Sequence, residues 1–448
     1  MMGTSQIHCA DCLDAMREMP DSSIDSIVTD PPYGLSQHSQ KDIATCLAAW
    51  LTGGTYSHSK AGFMGNQWDN FPPGPDVWRE CLRVLKPGGH MLVFAGTRSM
   101  DLMSMAIRLA GFELRDAIGH IHEGHQAPIA AWVYGSGMPK GINIQKQITK
   151  STGDADKGEV WAGWNSTLKP CFEPILMFRK PFDGTLCDNV LAHGVGGLNI
   201  EACRTRVQGG RPAREVHPLR EDVAYGGNSL VGRMDGSLMS SKAVGIAEQG
   251  RWPSNIILDD TPAVLASFPD AMGQAGSVIV DDGDICPKKG NVFGARNLVT
   301  FNKRIESETS ASRFFTKVSV GEGESDASRI MYCPKTSPKD RQEGMKKTEP
   351  MFRHGTTLRQ VENAELKGNH HPTVKPTELM RHLVRLVTPP GGTVMDPFAG
   401  SGSTLKAAVL EGFSCIGIER DPVYAEITKS RVQFSLDQMH LILSEQTV

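Results

Sequence analysis

What this sequence has little of narrows it first. No apolar run approaches the ~18 residues of a membrane-spanning helix. The densest stretches, such as Met91 to Ala95, are strand-sized. Neither charge sign dominates: 47 Lys and Arg stand against 50 Asp and Glu, a net charge of −3. That excludes a polycationic coat, so any nucleic-acid surface must be local. Ten cysteines scattered through 448 residues fit reduced thiols rather than a disulfide framework. Met1 to Cys12 lacks a basic stretch followed by an apolar one, so no signal peptide is expected and a cytoplasmic location is. Cys9-Ala10-Asp11-Cys12 has half the spacing of a zinc site, but no second Cys-x-x-Cys follows at finger distance. No metal is expected.

What the chain does have is glycine and proline, 47 and 27 residues without a period, and 39% apolar residues. Collagen and low-complexity chains are excluded, and the length suggests more than one domain. The first part alternates strand and helix patterns. Gln6 to Cys9 reads as a strand, Leu13 to Met19 as a helix, and Ser26 to Thr29 as a strand stopped by Asp30-Pro31-Pro32. A helix over Asp76 to Leu85 ends at Lys86-Pro87-Gly88-Gly89, before a strand from His90 to Ala95. Leu102 to Leu109 is helical again, and Phe112 to His122 strand-like. From about residue 183 to 355 the texture turns glycine-rich and aperiodic, with short strand candidates at Asn255 to Leu258 and Val278 to Val280. Regular alternation then resumes: helix Thr377 to Val387, strand Thr393 to Met395, helix Thr404 to Leu410, strand Ser414 to Ile418. The pattern predicts a parallel α/β sheet interrupted by an insertion.

Two segments carry chemistry. In Val394-Met395-Asp396-Pro397-Phe398-Ala399-Gly400-Ser401-Gly402-Ser403-Thr404 a strand enters a tight turn that opens a helix. Gly400 and Gly402 allow close approach of a ligand to the backbone. Glu419, ending the next strand 23 residues after Asp396, suits the hydroxyls of a ribose. A nucleoside-type cofactor is expected there. The other segment is Asp30-Pro31-Pro32-Tyr33. A carboxylate and a main-chain carbonyl, stiffened by two prolines, can accept hydrogen bonds from an exocyclic amine, and the Tyr33 ring offers a face for an extruded base.

Together these segments resemble the amino-group DNA methyltransferases that use S-adenosylmethionine. His371-Pro372-Thr373-Val374-Lys375-Pro376 matches a further element of that family. The order, with the Asp-Pro-Pro-Tyr element ahead of the cofactor turn, is that of the circularly permuted β group. The resemblance covers about residues 5–182 and 365–435. Lys169 to Met177 resembles the strand that follows the family's aromatic segment. Trp68-Asp69, Leu82 to Gly89, Gly135 to Lys140 and Trp252 to Asn255 resemble phage and prophage members.

The resemblance implies a Rossmann-like fold of seven strands with helices on both faces, the last strand antiparallel. Residues 1–182 would be the catalytic half, 183–355 the target-recognition insertion, and 356–448 the cofactor-binding half. Asp30, Pro31, Pro32 and Tyr33 would be catalytic. Asp396, Phe398, Gly400, Ser401 and Gly402 would line the cofactor, with Glu419 on its ribose, Asp11 near its adenine, and Thr373 and Lys375 near its methionine end. The implied partner is double-stranded DNA, with base flipping, in a bacterial or phage-infected cell; a homodimer and a cognate restriction enzyme are partners the resemblance admits. No membrane partner is implied. Adenine N6 is the expected target, because Asp begins the catalytic element where cytosine-N4 enzymes of this group more often carry Ser. Cytosine N4, a protein glutamine, and a DNA-binding role without catalysis stand as alternatives.

His370-His371 suits a loop role. Arg204 to Arg220 holds five arginines and one acid, and Arg329 to Arg359 a net of +5; inside such an insertion both suit phosphate contacts, helped by the hydroxyls of Lys335 to Lys339. Trp161, Trp164 and Phe172 are expected in the core.

Overall fold

A computed structural model describes residues 3–36, 38–60, 67–116, 130–133, 143–166, 172–204, 211–218, 239–247, 253, 256–259, 316–318, 336, 338–345 and 368–445. Two compact units emerge. The first comprises residues 1–203, 254–264 and 317–448, and the second 204–253 and 265–316.

The first unit is built on a sheet whose strands, in chain order, are β1 (Ser5–Cys9), β2 (Ile24–Thr29), β3 (Leu85–Phe94), β4 (Glu113–Asp116), β5 (Ala130–Val133) and β6 (Phe172–Arg179). In the second unit β7 (Arg211–Pro218) and β8 (Met239–Ala247) form an antiparallel ladder. Then follow β9 (Ile256–Asp259), β10 (Thr316–Val318), β11 (Thr393–Asp396) and β12 (Ser414–Glu419). The spatial order is β1-β12-β11-β2-β3-β6-β5-β9-β10. From β1 to β3 all neighbours are parallel, whereas β6 runs antiparallel to β3. One edge of β6 is shared, with β4 opposite residues 177–179 and β5 opposite residues 172–175. The expected seven-stranded arrangement is thus present, in an α/β class fold, and β9 and β10 extend it.

Local sequence explains these elements. All six residues of β2 are buried, as a strand covered on both faces requires. Along β3 the faces alternate: Leu92 and Phe94 join a core with helices Thr377–Val387 and Ser403–Leu410, and Met91 and Val93 one with helices Pro75–Val84 and Met100–Leu109. The expected stop at Lys86 to Gly89 is a bulge rather than a gap. Pairing passes from Ile24 opposite Leu85 directly to Ser26 opposite His90, so the Pro-Gly-Gly stretch leaves the ladder while the strand continues. The chain's longest described helix, Pro422–Glu445, was not anticipated. Among the described residues no helix is long and apolar enough to cross a membrane.

The topology selects one place for a ligand. From β11 the chain crosses to β12 on one side, and from β2 to β3 on the other. The boundary between β11 and β2 is therefore a topological switch point, and ligands of open α/β sheets bind beyond the carboxyl ends of the strands there. Asp396 ends β11 and Asp30 immediately follows β2.

Candidate active site

The two sequence segments meet at that switch point. Thr29, the last residue of β2, donates its hydroxyl to Asp396 Oδ1 at 2.7 Å, a buried contact that ties the two strand ends. The backbone N–H of Phe398 donates to the same oxygen at 3.1 Å. Burial raises the Asp396 carboxyl to about 6, a rise limited by hydrogen bonds from Thr29, Thr404 and the Phe398 amide. Phe398 itself packs against the buried Trp78, ring centroids 6.1 Å apart.

The turn after Asp396 is fixed from three sides. Gly400 has φ 54° and Gly402 φ 74°, the left-handed region where a side chain is strained. Gly400 N–H donates to Glu419 Oε2 at 2.7 Å, and its carbonyl accepts from the Thr428 hydroxyl at 2.9 Å. A Cβ at Gly400 would lie 2.8 Å from His371 Nε2, and one at Gly402 2.8 Å from Thr428 Cγ2. The glycines thus admit close neighbours from the chain itself. Ser401 is buried, with its carbonyl accepting from the buried Arg431 guanidinium at 2.7 Å. His371, held in the loop role expected of it, is neutral: burial lowers it to about 3.

Glu419 accepts from Gly400 through one oxygen and from the Asp421 amide through the other, at 2.8 Å. Burial raises its carboxyl all the same. Each oxygen keeps a lone pair for a hydroxyl donor. Asp11 lies at the same end of the sheet: β1 pairs with β12, and Ala10 N–H donates to the Glu419 carbonyl at 3.1 Å. Its carboxylate caps helix Cys12–Arg17 through the Leu13 amide at 2.9 Å. The residues fit S-adenosylmethionine. Asp396 and Glu419 are two carboxylates that would suit a cation and a ribose diol, at either end of a glycine turn.

On the β2 side, the Asp30-Pro31-Pro32-Tyr33 loop is clamped. Asp69 Oδ1 accepts from the amides of Tyr33 and Gly34 at 2.8 and 2.9 Å, and Ser99 donates its hydroxyl to the Tyr33 carbonyl. The Tyr33 hydroxyl donates to Asp30 Oδ1 at 2.7 Å. Lys375, only 4% exposed, pairs its ammonium with Asp30 Oδ2 and donates to the Tyr33 oxygen at 3.3 Å. The same ammonium is 3.5 Å from Glu173 Oε2 and 4.7 Å from the centroid of the Phe94 ring. Burial lowers Lys375 from its ordinary value, and the Asp30 charge opposes that. Thr373 is exposed two residues earlier, its amide donating to His371 Nδ1 at 3.3 Å.

Asp30, Tyr33, Lys375 and Asp396 are therefore one cluster. The sequence missed Glu173, which is 7% exposed on β6, and the clamping residues Asp69 and Ser99. A lone acid in the apolar run Phe172 to Met177 was the available signal for Glu173. Core placement was wrong for two tryptophans: Trp161 and Trp164 are 40% and 60% exposed. They close a helical hairpin, Ile144–Thr152 with Ala155–Glu159, in which Gly158 is the buried residue. The side chain of Phe172, the candidate strand Val278 to Val280 and Lys346 and Lys347 lie outside the described residues.

The family model described as DNA methylase matches residues 24–430. Among curated relatives, the type II methyltransferase M.HindIII of Haemophilus influenzae is 29% identical over 212 residues, 43% of this chain and 64% of that protein. M2.MboI of Moraxella bovis is 26% identical over 212 residues, 44% and 75% of the two chains. M.BglI of Bacillus subtilis is 39% identical over 67 residues, 15% and 19%. The chain thus spans less than two thirds of M.HindIII and about a fifth of M.BglI. Similar solved structures include the M1.HpyAVI–SAM complex, at 14% identity and TM-score 0.36 over 96% of this chain and 99% of that one. Another is the cytosine-N4-specific PvuII DNA methyltransferase, at 12% identity and TM-score 0.41 over 96% and 87%.

Proposed function

We propose, from the premise that this chain belongs to the DNA methylase family, that it is a site-specific DNA methyltransferase acting on adenine N6. S-adenosylmethionine is the cofactor of the family. The observation that carries the reading is the meeting of Asp30 and Asp396 at adjacent strand ends, linked through Thr29. One strand end suits a cationic methyl donor and the other an amine acceptor, which is what direct transfer between two bound substrates requires.

S-adenosylmethionine, when bound, supplies a methyl group already activated on a sulfonium. The chain must then supply a nucleophile and a place for charge. An adenine amine is a poor nucleophile because its lone pair is delocalised into the ring. Hydrogen bonds from the amine to the Asp30 carboxylate and the Pro31 carbonyl would draw the nitrogen toward tetrahedral geometry. The positive charge that grows on nitrogen is stabilised by the carboxylates around it. A base inside a duplex cannot reach Asp30, so it must be flipped, with the Tyr33 ring to stack against. The family's other acceptor, cytosine N4, requires the same geometry, and the first residue of the catalytic element favours adenine.

Methylation-sensitive sequencing of DNA from a host expressing the protein tests this directly, since it reports base and motif together. Asp30→Ala should lower turnover by orders of magnitude while binding of cofactor and DNA persists. N4-methylcytosine in place of N6-methyladenine would change the acceptor, and no modified base at all would sink the activity.

A further inference from the structure

We propose that Glu173 is a positioning residue for the methyl-accepting base. It is the second seat for the Lys375 ammonium, and by drawing that cation away from Asp30 it opens Asp30 to the incoming amine. The inference rests on the assignment of Asp30 as acceptor of the target amine.

Lys375 occupies the surroundings an amine substrate needs. Its nitrogen meets the Asp30 carboxylate, the Tyr33 phenol oxygen and the face of Phe94, with the Tyr33 ring centroid 5.5 Å away. Both Asp30 oxygens are engaged by the chain, Oδ1 by the Tyr33 hydroxyl and Oδ2 by Lys375. Oδ2 keeps a second lone pair, but an ammonium held there sets a like charge beside the nitrogen that becomes positive during transfer, so it opposes the target amine while it stays.

Lys375 is almost fully buried, so an ammonium displaced from Asp30 needs another anion within reach. Glu173 is that anion. Its Oε2 is 3.5 Å from Lys375 Nζ, so a shift of about 0.7 Å would reach the ~2.8 Å of a charge-assisted bond. It is also 3.3 Å from the Tyr33 hydroxyl, so the phenol can follow the cation. Lys375 also feels the charge of Asp396, so its ammonium lies among Asp30, Glu173 and Asp396, and a neutral side chain at 173 would remove the one carboxylate that offers it a seat away from Asp30.

The position of Glu173 suits the task. It sits on β6, where Trp132 of β5 pairs opposite it and Ile175, two residues on, pairs with Phe94. A carboxylate beside such an apolar strand is costly unless it meets a cation, and Lys375 supplies one.

Initial rates of label transfer from S-adenosylmethionine to plasmid DNA, with the full chain and saturating cofactor, test the handover. Glu173→Gln should raise KM for DNA about tenfold, the equivalent of one charge-assisted hydrogen bond, with KM for the cofactor within about twofold. Adding Lys375→Met to that variant should recover most of the lost DNA affinity, because no ammonium remains to occupy Asp30. Glu173→Asp keeps the charge and should fall between wild type and Glu173→Gln. A double variant as impaired as Glu173→Gln, or an unchanged KM for DNA in Glu173→Gln, overturns the handover. Wild-type protein that transfers no label to DNA would overturn the methyltransferase reading instead, so the two failures are distinguishable.

Discussion

At the scale of single residues, the candidate site is governed by carboxylates that burial makes reluctant to ionise. Asp396, raised to about 6, binds a proton more readily in the folded chain than unfolded. For the free protein, the stability contributed by that proton is present below about pH 4 and lost as pH rises through about 6. On the proposed reading cofactor binding has the opposite sign, because a sulfonium beside Asp396 would favour the charged form. Affinity should climb up to about tenfold per pH unit between about 5 and 6 and level off above about 7, with Glu419 adding in the same sense. Calorimetric titrations across that range check it, and Asp396→Asn should flatten the profile; a wild-type profile already flat would refute it. Tyr33 gives a second residue-scale expectation. Stacking needs the ring alone, yet the hydroxyl also bonds Asp30 and Glu173 and accepts from Lys375. Tyr33→Phe should therefore cost about 1–2 kcal/mol in turnover, with DNA binding kept, whereas Tyr33→Ala should lose base binding too. A Phe variant at wild-type turnover would show that the hydroxyl is idle.

At the scale of elements, one short segment secures the glycine turn after Asp396. The helix Pro338–Gln342 brings Asp340 onto the buried Lys406 ammonium at 2.8 Å, and Thr377 donates to the same carboxylate from the start of its own helix. Arg431 donates to Asp340's carbonyl and to that of Ser401, so helix Pro422–Glu445 is tied to both segment and turn. Asp340→Ala would leave the buried Lys406 ammonium with Glu343 alone and the Thr377 amide without its acceptor, at a cost of about 1–3 kcal/mol, because a buried charge and a helix start each lose a hydrogen-bond partner. Thermal or denaturant unfolding would measure it, and a loss under about 1 kcal/mol would place the stability of the turn elsewhere. These ties also mark the limit of what sequence conveys. The strands and helices beside both motifs were legible because each ends at proline or glycine, as β2 does at Asp30-Pro31-Pro32. The final helix was not, because the buried Arg431 and polar Thr428 and Ser435 interrupt its apolar face. The candidate cluster was legible residue by residue, but not as a network. Tyr33 and Lys375 are 342 positions apart, and nothing local says that their side chains meet.

At the scale of the whole molecule, the proposed activity needs a part that reads the DNA sequence. The texture from 183 to 355 suggested an insertion, and the second compact unit, 204–253 with 265–316, lies inside it. The stretches around that unit belong to the sheet-bearing one. Residues 256–258 of β9 pair with β5, whose residues 130–133 in turn pair with β6, the strand that carries Glu173. The basic run 329–359 also belongs to the first unit, where Asp340 and Glu343 turn to Lys406. With those acids committed to an internal cation, less negative charge offsets the run's lysines and arginines. Neutralising Lys346 and Lys347 should then weaken DNA binding about equally for all sequences and lessen its salt dependence, since phosphate contacts carry no base information. We propose that sequence readout lies instead in the second unit. Replacing 204–253 and 265–316 by the corresponding stretches of a relative with a different site, while keeping 254–264, should preserve the sheet and move methylation to the relative's motif. Sequencing of modified DNA reads the outcome. A chimera that is folded and active yet still methylates the original motif would assign recognition to the first unit, with the exposed tryptophans of residues 143–166 the next place to look.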